Sequence, residues 1–129
     1  MDELLKIFAN TTDASFAVDR HQRILMWNSA AEQLLGVPAD KALGRPCWQI
    51  LQGQSLSERP FCGPHCPVLQ SLQQNRPVPA FDMLITNAAQ QTIRTSISTL
   101  FVPPDLQCQA VIIHLQRNLD DPFHWPDSF

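Results

Sequence analysis

The sequence predicts an α+β domain: a five-stranded antiparallel sheet with short helices packed on one face. Two observations carry that expectation. The hydrophobic patterns run in the order helix, two strands, several short helices, three strands. In Val111-Ile-Ile-His-Leu115 both alternate sets are mostly apolar, so both faces of the sheet need cover. A chain of 129 residues has room for one such domain and its core.

The elements follow in order. Leu4, Leu5, Ile7 and Phe8 form a helical stripe too short to stand alone, so residues 1–10 read as an N-terminal helix that must dock. Ala14 to Asp19 and Ile24 to Asn28 read as strands joined by the polar turn Arg20-His21-Gln22-Arg23. Ser29 and Glu32 have capping-box spacing, Ala30, Ala31, Leu34 and Leu35 supply a buried side, and Gly36 closes the helix. Pro38 to Gly44 and Cys47 to Leu51 give two more short helical pieces, and Gln52 to His65 is loop. Cys66-Pro67 opens a helix with Val68, Leu69 and Leu72 on one face, stopped by Asn75 and Pro77. Phe81 to Thr86, Thr92 to Val102 and Gln109 to Gln116 then have the β-branched content of an antiparallel meander. The main body spans residues 11–119, and residues 120–129, with two prolines and no periodicity, read as a linker or tail.

Composition excludes several function classes. A net charge of −3 without a dense Lys/Arg face gives no footprint for nucleic acid. No apolar run reaches the ~20 residues of a membrane span, and the acidic start MDELLKIFANTTD does not read as a signal peptide. A cytoplasmic location is expected, where cysteines stay reduced. Asp13, Asp19, Glu32 and Asp40 are scattered over caps and turns and form no acid–base pair.

The stretch ASFAVDRHQRILMWNSAAEQLLGVPADKALGRPCWQIL resembles the opening of a PAS sensor domain. Trp27, Asn28, Ala30, Ala31, Glu32, Gly36 and Gly44 stand where that family has a Trp-Asn pair, an Ala-Ala-Glu run and two glycines. Pro46-Cys47 and Pro60-Phe-Cys62-Gly-Pro-His-Cys66-Pro67 resemble a bacterial, cysteine-bearing subtype, with three residues between the paired cysteines where that subtype has two. The resemblance implies a regulatory module without catalysis, one that binds a small molecule or cofactor between helices and sheet, or dimerises. It implies a role in signal transduction or transcription regulation, with an output domain or partner protein that is not in this chain. No cofactor or metal is named by it here.

If a pocket lies between helices and sheet, Trp27, Leu51, Val68, Leu72, Phe81, Ile97 and Ile112 should surround it, with the choice between Ile112 and Ile113 open because both registers are apolar. Cys47, Cys62 and Cys66 are the redox or metal candidates. Cys62 and Cys66 have a spacing that zinc allows, but a fourth ligand is not evident. Cys66 with His65 also permits haem ligation, against the plainer reading of a cysteine that starts a helix. Cys66 at a helix N-terminus would favour thiolate, with Cys62 as resolving thiol; buried, all three would be small inert hydrophobes. Cys108 is expected to be shielded at a strand start. Trp48 reads as core, His21 and His124 as solvated, and His114 as a hydrogen-bonded sheet histidine. A thiol-disulfide enzyme using Cys62 and Cys66 and a pure dimerisation adaptor are the competing functions. The N-terminal helix is expected to cover the second sheet face and to contribute to a two-fold homodimer.

Overall fold

The computed structural model describes residues 2–120. Helix α1 (Glu3–Ala9) begins where the Asp2 carboxylate accepts from the Leu4 N–H at 3.0 Å. Strands β1 (Ala14–Val18) and β2 (Ile24–Trp27) form the expected hairpin. Helices α2 (Ser29–Leu35), α3 (Ala39–Ala42), α4 (Cys47–Leu51) and α5 (Pro67–Gln73) follow. Strands β3 (Phe81–Thr86), β4 (Thr92–Phe101) and β5 (Ile112–Asn118) complete the sheet. Its order is β2-β1-β5-β4-β3 with every pair antiparallel, so the last strand inserts between the first hairpin and the second. β5 starts three residues later than the apolar run suggests, because a one-turn 3-10 helix (Pro104–Leu106) and the loop after it take up the chain between β4 and β5.

Asn28, not Ser29, caps α2. Its Oδ1 accepts from the N–H groups of Ala31 and Ser15, both at 2.9 Å, while its Nδ2 donates to the carbonyl oxygens of Thr11 and Asp13. One buried amide thus ties the start of α2 to β1 and to the segment before it. The Glu32 carboxylate, freed from the expected capping box, accepts instead from the Ala39 N–H at 2.7 Å and holds the start of α3. Gly36 ends α2 at φ 69°, and a Cβ there would lie 3.1 Å from the Cβ of Ala88, in the β3–β4 turn. Both the left-handed conformation and the close approach call for glycine.

The sheet separates two apolar clusters. On the helical face Phe16, Val18, Trp27, Ile97 and Ile112 pack with Ala31, Leu35, Leu51 and Val68. On the other face Ala17, Met26 and Ile113 pack with Leu5, with Leu4 and Phe8 alongside. The open choice between Ile112 and Ile113 is thereby decided: Ile112 faces the helices and Ile113 faces α1. Helix α1 covers the β1–β2 part of the outer face, and its Ile7 is 67% exposed. No helix among the described residues is long and apolar enough to cross a membrane. Of the tail expected over 120–129, Asp120 is described, donating its N–H to Asn118 Oδ1; the rest, His124 included, lies outside the described residues.

Candidate functional site

The seven residues expected to surround a pocket all belong to the helical-face cluster. Trp27, Leu51, Val68, Ile97 and Ile112 are buried, and Leu72 and Phe81 pack against them half-buried. They are in mutual contact as core. Neither of the two surface clefts described below is lined by any of them.

This apolar interior also holds polar side chains that the strand pattern does not announce. Gln116 Nε2 donates to Thr95 Oγ1 at 2.9 Å, and Thr95 Oγ1 donates to the Met83 carbonyl at 2.8 Å. The Oε1 of Gln116, 1% exposed, has no partner among the described residues. Thr99 Oγ1 and His114 Nδ1 share a hydrogen bond at 3.2 Å, and the His114 ring lies 5.1 Å from that of Phe16. His114 is the hydrogen-bonded sheet histidine the sequence leads one to expect. Burial disfavours its charged form and lowers its pKa to about 4.

The three candidate cysteines converge on the edge of the same core. Cys47 begins α4, Cys66 precedes α5, and Cys62 sits in the loop between them. The Cys62 thiol donates to Met83 Sδ at 3.9 Å. Gly53 leaves the space for this contact: a Cβ there would lie 2.5 Å from both Cys62 Sγ and Met83 Sδ. Burial, followed by the neighbouring Cys66 and Cys62 thiols, pushes Cys47 up to about 12. Burial likewise pushes Cys62 up to about 11, against a weaker lowering from the backbone N–H of Gly53. These two are thiols, not thiolates, at neutral pH. All four cysteines are free, and no group of three metal-ligating side chains gathers among the described residues. Cys66 starts α5 without a side-chain capping bond. Cys108 is not shielded at a strand start: it lies half-buried in the loop before β5, where burial and then the Asp2 carboxylate raise its pKa. With N-ethylmaleimide at pH 8, Cys47 and Cys62 should react roughly tenfold or more slowly in the folded chain than in the same chain unfolded by urea. Equal rates in the two states would contradict this burial.

The residue that joins these parts is one that sequence reasoning passed over. Gln22, in the β1–β2 turn, is buried at 5% exposure with φ 65°. Its carbonyl accepts from the Cys47 N–H at 2.8 Å, and its Nε2 donates to the Pro64 carbonyl at 3.1 Å. It therefore fastens both α4 and the Cys62–Cys66 loop to the hairpin. The one available signal was a tight turn without Gly or Asn, which forces another residue to positive φ. Trp48, expected in the core, is half-buried and outside both clusters; it lines a cleft of about 550 Å³ with Arg20, His21, Gln22, Arg23 and Pro64. A second groove, about 840 Å³, runs between α2 and the β3–β4 turn, with Asp13 and Arg117 among its lining.

The family model described as PAS fold matches residues 2–59, from the residue that caps α1 to the loop before Cys62. No curated protein matches the chain. Among solved structures, the PAS domain of an HTR-like protein from Haloarcula marismortui is 18% identical, with TM-score 0.65, covering 90% of this chain and 94% of that one. The LOV protein of Rhodobacter sphaeroides is 14% identical with TM-score 0.69, covering 90% of this chain and 65% of that one. The PAS domain of nitrogen regulation protein NR(II) from Vibrio parahaemolyticus is 17% identical with TM-score 0.58, covering 92% and 100%. At these identities the likeness is one of fold, and at 90–92% coverage it reaches well beyond residue 59, where the family match ends. The strand order, the helices on one face and the likeness to solved structures agree: this chain has the PAS fold.

Proposed function

We propose that this domain is a non-catalytic regulatory module of a cytoplasmic signalling system, one that pairs with a second copy through α1 and the outer face of its sheet. The observation that carries the reading is α1 itself. Seven residues cannot hold a helix without a partner surface. Leu5 finds that surface on its own sheet, while Ile7 remains 67% exposed on the same helix. Leu100, on β4, adds 40% exposure. A two-fold pairing would bury this surface against its own copy. The solved structures of similar fold include a PAS domain from a two-component sensor histidine kinase, which supports a role in signal transduction. The output, in this reading, lies on a partner or on another part of the protein, and transcription regulation is one such output.

A small-molecule, cofactor or redox input would enter from the helical face, where the seven core residues and the three cysteines meet. The alternative, a thiol-disulfide enzyme working through Cys62 and Cys66, has less support. The usual redox pair has two intervening residues where Cys62 and Cys66 have three, and burial pushes Cys62, the resolving thiol of that scheme, up to about 11. Insulin-reduction turnover by the purified chain would favour the enzyme instead. Light scattering at micromolar concentration tests the pairing: the expected mass is twice that of the chain. A dimer that keeps its affinity after deletion of Met1 to Phe8 would put the interface elsewhere.

A further inference from the structure

We infer that the cleft between the β1–β2 turn and α4 is a binding site for a small aromatic carboxylate that also carries a hydrogen-bond donor. It lies outside the helix–sheet core and stands whether or not the chain dimerises.

Charge is the first argument. The chain as a whole is net −3, yet the cleft's lining includes Arg20, His21 and Arg23 and no acidic residue. Neither arginine makes an ion pair among the described residues; Arg23 Nη1 donates to the Gly44 carbonyl at 3.1 Å and keeps its remaining donors. The nearest acid in sequence, Asp19, has its Oδ1 taken by the N–H groups of His21 and Arg23, at 2.8 and 3.0 Å. That carboxylate shapes the turn and forms no ion pair with either arginine among the described residues. Guanidinium forks are the donors that match a carboxylate's two oxygens.

Shape is the second. Trp48 is withheld from both apolar clusters and lines this cleft half-buried, with Pro46, Pro64 and Leu69 also in the lining. A half-buried indole is a flat apolar surface on which a planar ring gains stacking contact. About 550 Å³ is the size of a small-molecule pocket, not of a protein interface.

The third is an orphaned acceptor. The Gln22 amide lines the cleft and is 5% exposed. Its orientation is fixed, because Nε2 donates to the Pro64 carbonyl; its Oε1 is left without a donor among the described residues. A buried unpaired acceptor is unfavourable, and a ligand hydroxyl or amine reaching it as the wall adjusts relieves that. Since the same Gln22 holds α4 and the Cys62–Cys66 loop, a ligand seated here tightens the two elements that carry the cysteines.

The test uses the full chain labelled with ¹⁵N. Titration with sodium 4-hydroxybenzoate up to about 10 mM should shift the Trp48 indole N–H and the Gln22 side-chain NH₂ signals saturably, and 4-hydroxybenzamide, which lacks the charge, should not. The double variant Arg20→Gln/Arg23→Gln should weaken binding by roughly tenfold or more, and Trp48→Leu should do the same; each variant's spectrum reports its own folding. The absence of any saturable shift in the folded wild-type chain would overturn the inference. So would equal binding of the amide, or undiminished binding by the folded variants. The dimer reading would survive any of these results.

Discussion

Asn28→Ala is expected to destabilise the domain by roughly 2–4 kcal/mol, the sum of a lost helix cap and a buried N–H left without an acceptor. The magnitude follows from how many groups depend on one side chain. The Oδ1 atom serves Ala31 at the start of α2 and Ser15, the second residue of β1, and Ser15 is fully buried, so its N–H is left without an acceptor. Nδ2 in turn satisfies carbonyls of the segment that leads into β1. Asn28→Asp keeps the Oδ1 acceptor but turns a second carboxylate oxygen toward the Thr11 and Asp13 carbonyls, so it should preserve the cap while falling short of wild-type stability. Urea unfolding of the three proteins measures this. An alanine variant within about 0.5 kcal/mol of wild type would show that the amide is not what ties α2 to the sheet.

The second large effect is a loss of stability in acid, set by His114. Its pKa is about 4 in the fold and near 6.5 in the unfolded chain. A base with a depressed native pKa binds more protons when unfolded, so stability is fully present above pH 6.5. It is lost progressively as pH falls toward 4, by about 3 kcal/mol in all. His114→Gln, which keeps a hydrogen-bonding atom near Thr99 and cannot titrate in this range, should flatten that part of the profile. An unchanged acid limb between pH 6.5 and 4 in the folded Gln variant would mean that other groups cause it.

Much of the architecture can be read from the residues, and the reasons for the rest are physical. Strand and helix order follows from local period, as in Phe81–Thr86 and Pro67–Gln73, where β-branched content and an N1 proline speak for themselves. The capping-box spacing points to Ser29, one residue past the true cap, because Asn28 and Ser29 are both good caps. The choice was made by Ser15, thirteen residues away, whose N–H needs the same oxygen. Gln22 escaped notice because a glutamine in a polar turn looks solvated, and its burial comes from α4 and the cysteine loop closing over it. Trp48 was expected inside because of what tryptophan usually does; its five-residue helix turns it away from the core. The cysteines' convergence could be suspected from spacing. That burial would hold Cys47 and Cys62 as thiols could not, since it depends on Met83 and the bare backbone of Gly53.

The proposed pairing depends on α1 as a packed helix with one face turned outward, where a second copy would meet it. Ile7→Glu puts a charge on that exposed face without touching Leu5, which is buried against the sheet. Sedimentation equilibrium of the wild-type and Ile7→Glu chains, with urea unfolding as the control for folding, tests it most directly. The expected result is a wild-type dimer and a variant whose dissociation constant rises by roughly tenfold or more while its unfolding is that of a folded domain. A folded variant that associates as tightly as wild type, or a wild-type chain that sediments as a monomer at micromolar concentration, would contradict the account.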